Sequence, residues 1–114
     1  MLKENFEKVT ALKNENLFIG LPKKYPKKME KKLIKFFKKI KTVEKAYLLQ
    51  MVQREIEISF LLVLQTSEFD NVAREVSNIC SNTLSKDEVL NMVSFETELG
   101  KTVASDWSPF YIRK

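Results

Sequence analysis

Histidine is missing from the 114 residues altogether, and cysteine occurs once, at Cys80. The first absence removes the commonest general base, the Ser-His and Cys-His nucleophile pairs and the usual nitrogen ligand for metals. The second excludes an intramolecular disulfide and, with the first, a structural zinc site assembled within the chain. Glycine occurs only at Gly20 and Gly100, too sparsely for a phosphate-cradling P-loop or a dinucleotide fingerprint. The longest apolar run, Phe60 to Leu64, falls far short of the roughly 20 residues that carry a helix across a bilayer. Residues 1–16 are dense in Lys, Glu and Asn and lack the apolar core of a secretory signal. The expectation is a cytoplasmic chain with no membrane span, metal or cofactor.

What is present fits one compact α+β domain. Hydrophobic residues make up 44% and charged residues 31%, a globular balance remote from that of disordered chains. The net charge of +5 hides a strong asymmetry. Residues 23–41 hold ten lysines and one acid, Glu30, a net +9, whereas the remainder holds ten basic and fourteen acidic residues, a net −4. Local charge of this kind bears on partners more than the total does.

The pattern of apolar residues sets the order of elements. Residues 1–16 read as an N-terminal extension in which Leu2, Phe6, Val9 and Leu12 or Thr10 would line a short helix. Leu17-Phe18-Ile19 reads as a strand stopped by Gly20-Leu21-Pro22, since Pro22 cannot donate to a ladder. From Pro26 to about Lys41, Met29, Leu33, Phe36, Phe37 and Ile40 recur with helical spacing. Residues 43–52 and 55–65 form paired strands, the second apolar on both faces at its middle, which calls for cover on both sides there. Ser67-Glu68-Phe69-Asp70 has the form of a capping box opening a helix that runs to about Leu84. Residues 89–95 form a further strand, Glu98 to Ser105 a helical turn or loop, and Phe110-Tyr111-Ile112 a last short strand. Residues 17–114 thus read as β-α-β-β-α-β with a short C-terminal appendage. That order is associated with ferredoxin-like, split-βαβ two-layer sandwiches, with two helices on one face of a mainly antiparallel sheet. Such a fold hosts many unrelated functions.

Little chemistry is available to this residue set. Carboxylate-only catalysis needs two acids in settings that separate their pKa values, and no acidic pair here is so placed; the chain is expected to be no enzyme. Cys80 lies on the apolar stripe of the second helix, where a small buried hydrophobe is the plainer reading than a reactive thiol. Two surfaces remain. The first is the lysine face of residues 26–41, with Lys28, Lys31, Lys35 and Lys38 as candidate contacts to nucleic acid or an acidic partner. The same lysines would also serve as the solvated side of a helix that packs by its other side. No arginine lies in the segment, and Glu55 to Gln65 lacks the Gly and aromatic pattern of an RNA-recognition strand. The second surface is the aromatic tail, Trp107, Pro109, Phe110 and Tyr111, either a protein-binding patch or a peptide pinned to the core.

Ile19-Gly20-Leu21-Pro22, Val43-Glu44-Lys45-Ala46-Tyr47, Ser59-Phe60-Leu61-Leu62-Val63-Leu64, Leu99-Gly100 and Pro109-Phe110-Tyr111 occur in an order that resembles the C-terminal domain of the SseB family, the bacterial "enhanced serine sensitivity" family. The resemblance covers residues 17–114, and its most specific element is the terminal Pro-Phe-Tyr with a basic residue, Arg113, beyond Ile112. It implies an intracellular, non-enzymatic module of uncharacterised biochemical role; related domains have been associated with secretion or toxin–immunity systems. The chain has no room for the N-terminal domain of the longer members, so functions that need that domain are not implied. A lysine-rich, histidine-free composition is compatible with a low-GC bacterium. The leading expectation is a protein-interaction or regulatory module, with homo-oligomers open. One rival is an anionic-surface binder through the lysine helix. Another is an ACT-like amino-acid sensor whose ligand would lie near the turn Gly20-Leu21-Pro22.

Overall fold

The computed structural model describes residues 9–12, 17–22, 24–53, 57–85 and 88–113. The chain runs through β1 (Val9–Leu12), β2 (Leu17–Gly20), α1 (Lys27–Ile40), β3 (Val43–Gln53), β4 (Glu57–Thr66), α2 (Phe69–Cys80), β5 (Leu90–Ser94), α3 (Glu98–Asp106) and β6 (Tyr111–Ile112). From β2 to β5 this is the β-α-β-β-α-β order expected from the apolar spacing, in an α+β fold with a mainly antiparallel sheet.

The strands lie in the order β1-β2-β3-β4-β5, with β6 also on β3. All pairs are antiparallel except β4 with β5. In the unit β4-α2-β5 the parallel strands are direct neighbours, so the α+β element order is as expected but the strand order is linear and departs from the ferredoxin-like one, in which another strand would separate them. β4 takes one edge of β3 along its length, from Val43↔Thr66 to Gln53↔Glu57. The other edge is shared: β2 pairs with Gln50 to Gln53, and β6 with Lys45 and Ala46.

Alternation along the two central strands divides the core. Ala46 and Leu48 of β3, with Phe60, Leu62 and Leu64 of β4, meet Met29, Leu33 and Phe37 of α1 and Val72, Val76 and Cys80 of α2. Tyr47, Leu49, Leu61 and Val63 point the other way, where Ile19 and Val103 of α3 complete a second cluster. The helix pair over one face is therefore as expected, and the demand for cover on β4's second face is met by α3.

Three local expectations are corrected. Residues 9–12 form strand β1 against β2 where a helix was expected; residues 1–8 and 13–16 of that proposed helix lie outside the described residues. The capping box before α2 does not form: the N-cap is Glu68, whose side chain accepts from Asn71 Nδ2 at 3.2 Å instead of from a backbone N–H. The helix stops at Cys80, whose carbonyl accepts from the N–H groups of Thr83 and Leu84. Glu98 to Asp106 is a full helix, capped by Thr97, whose Oγ1 accepts from Gly100 N at 3.0 Å. Gly100 is required there by close approach. A Cβ on it would stand 2.2 Å from the Ser94 carbonyl oxygen and 2.8 Å from Phe95 Cα, so α3 sits on the end of β5 only without a side chain at this position.

Candidate functional site

The terminal aromatics do not form one cluster. Trp107 packs on the α3 face with the second core cluster. Three residues later Phe110 and Tyr111 are on the opposite face, against Phe37 of α1, with ring centroids 6.3 and 5.3 Å away. Ser108 and Pro109 carry the chain across to β6. Phe110 N donates to the Ala46 carbonyl at 2.9 Å and Arg113 N to the Glu44 carbonyl at 2.8 Å. Tyr111 is 8% exposed and serves as an internal anchor. Pro109 and Phe110 are half-buried, and Ile112 is exposed.

Between this tail and α1 lies an open groove of about 770 Å³, with Ile34, Lys38 and Lys41 on the helix side and residues 109–113 on the other. Arg113 pins its far end. Its Nη2 pairs with Glu44 Oε2 at 2.8 Å, and its Nη1 donates to the Lys41 carbonyl. Lys41 closes α1 in the left-handed region, φ 57°, its N–H donating to the Phe37 carbonyl at 3.2 Å. A non-glycine residue held there carries roughly 1–2 kcal/mol of strain, and the Arg113 guanidinium on its carbonyl helps to hold it.

The four lysines singled out on the helix are all exposed but do not share a site. Lys38 flanks the tail groove. Lys35 belongs to the opposite flank, where with Lys32 and Lys39 it borders a depression facing Asn78 and Ile79 of α2 and Asn82 just beyond it. Lys28 and Lys31 border neither. Sequence spacing placed the lysines on one helix surface, but Asn78 and Asn82 become neighbours of that surface only through tertiary packing. At the turn after β2, Gly20 and Pro22 are buried and Leu21 is 40% exposed.

The perturbed titratable groups lie apart from these grooves. Burial pushes the Cys80 thiol up to about 11, against smaller opposing effects from the Thr83 hydrogen bond and Lys32. Burial also raises Tyr47. Tyr25 is raised by burial first and then by Glu30, whose carboxylate accepts a hydrogen bond from its hydroxyl. Among the described residues no group of three or more Asp, Glu or Cys side chains is placed to hold a metal ion. No described helix is long and apolar enough to cross a membrane.

The family model for the SseB protein C-terminal domain matches residues 12–113. No curated protein and no solved structure matches the chain.

Proposed function

The chain belongs to the SseB C-terminal domain family, and from that premise we propose that it is a non-enzymatic protein-binding module of the bacterial cytoplasm whose contact surface is the groove between α1 and the terminal strand. The carrying observation is that Lys38 and Lys41 stand across an open groove from Pro109, Phe110 and Ile112. Half-exposed apolar side chains beside cations that have no ion-pair partner among the described residues suit a partner segment that is apolar and acidic, because the apolar contact supplies affinity and the charges supply register. The non-enzymatic part rests on the chemistry of the candidates. A Cys80 thiol pushed up to about 11 by burial is scarcely ionised at neutral pH and makes a poor nucleophile.

A photocrosslinking residue in place of the exposed Ile112 tests this in cells, with nuclease treatment and two salt concentrations during recovery. The expected result is a nuclease-resistant protein adduct that weakens severalfold in the K38E/K41E variant. Adducts with nucleic acid alone, or a protein adduct indifferent to both charge reversals, would overturn the assignment.

A further inference from the structure

The other flank of α1 carries a separate surface. Two depressions of about 440 Å³ each meet at Phe36. On one side of Phe36 the α1 wall is Lys32, Lys35 and Lys39. On the other side the α2 wall carries Glu68 and Glu75. Between them the floor is apolar, with Phe36, Ile40 and Ile79 half-buried against the core. Among the described residues none of these three lysines or two glutamates has an ion-pair partner. The groove is therefore apolar along its floor and of opposite charge at its two ends.

That polarity selects among occupants. A polyanion lying along the groove would meet Lys32, Lys35 and Lys39 and then run onto Glu68 and Glu75. A second copy fares no better: the two-fold that sets each basic end on the partner's acidic end lays α1 on α1 and α2 on α2, so the lysines of one wall do not face the glutamates of the other. An amphipathic helix meets both demands. From Lys32 to Ile40 the groove follows α1 for about 12 Å at 1.5 Å per residue, enough for roughly two turns of an occupant with apolar anchors at i, i+3 or i+4 and i+7. We propose that the α1–α2 groove docks an amphipathic helix of another protein, its apolar stripe over Phe36, its acidic end at Lys32, Lys35 and Lys39, and its basic end at Glu68 and Glu75. This surface is independent of the tail groove.

Three synthetic helical peptides with one shared apolar stripe test it: one acidic at one end and basic at the other, one acidic throughout, one basic throughout. Each is titrated by fluorescence anisotropy into the whole protein, with backbone amide shifts to locate it. The bipolar peptide should bind about tenfold more tightly than either uniform peptide, the 1.4 kcal/mol within reach of two or three rim ion pairs. The K32E/K35E/K39E variant should move the preference to the basic peptide, and E68K/E75K to the acidic one. These positions are exposed, so both variants should melt like the parent. Equal affinities, a parent preference for the uniformly acidic peptide, shifts away from α1 and α2, no binding at millimolar peptide, or self-association lost in E68K/E75K would each overturn the proposal.

Discussion

The two faces of the sheet are built from the same two strands yet carry different weights. Among the described residues, thirteen buried side chains gather under α1 and α2, against six under α3. The heavier face holds the helix pair with both grooves, while the lighter one is closed by a nine-residue helix whose seat depends on a single glycine. β3 and β4 supply both: Leu48 and Leu62 point to the helix pair, Tyr47 and Leu61 to α3. The difference teaches that the binding surfaces proposed above ride on the face with the most stability behind it, and that the tail reaches that face only by crossing the sheet between Trp107 and Phe110.

The comparison breaks first at Phe37. It is fully buried and touches Phe36, Phe110 and Tyr111, so it joins the core to the tail groove. Replacing it by alanine should cost about 3–5 kcal/mol of unfolding free energy, read as a lowered denaturant midpoint. The loss should also free the tail, seen as faster amide exchange at Phe110 and Arg113, whose N–H groups otherwise donate to β3. A variant that loses stability while those two amides stay protected would show that the tail is held by its backbone ladder alone.

Gly100 tests the lighter face. The Cβ of Gly100→Ala would collide with backbone atoms of Ser94 and Phe95, which cannot rotate away as a side chain does, so α3 must lift from β5. Overpacking of this kind costs about 1–3 kcal/mol. Trp107 is the chain's single tryptophan and lies on the α3 face. Its emission should move to longer wavelength in the variant, with amide shifts in α1 and α2 unchanged. Shifts that spread into α1 would mean that the two faces are one cooperative unit at this level of perturbation.

What the sequence makes legible follows the same division. The helix-pair face was readable because its periodicity is local: Met29, Leu33 and Phe37 repeat along α1, and Val72, Val76 and Cys80 along α2. The double-sided apolar character of β4 announced that something covers the second face. The cover itself was not legible as a helix, because Glu98 to Asp106 has few apolar residues and contains Gly100, which propensity places outside helices. The reason for that glycine is a contact with Ser94 and Phe95 that only the folded chain creates. β1 escaped for a related reason: a four-residue edge strand takes its conformation from the ladder to β2, not from its own spacing. At the surface, residue types were readable and neighbourhoods were not. Trp107 and Phe110 are close in sequence but on opposite faces, while Lys35 and Lys38, three residues apart on one helix, border different grooves.

The smallest effect separates the faces by alkaline titration. Cys80 lies under the helix pair and Tyr47 under α3, and burial raises both pKa values in the folded protein. A raised folded pKa means that the neutral form is favoured by folding; the resulting stability is whole below the unfolded pKa and declines as pH climbs toward the folded one. For Cys80 that window runs from the ordinary thiol value near 9 to about 11, and for Tyr47 it opens above 10. Tyr25, also raised and packed on the helix-pair side, adds to the loss above 10. Unfolding free energy measured from pH 8 to 11 should therefore slope downward from about 9, and Cys80→Ala should flatten the first part of that slope. Tyr47→Phe should leave the first part intact and soften the part above 10. An unchanged slope in Cys80→Ala would place the thiol in contact with water and move Cys80 from the core of the heavier face to its margin.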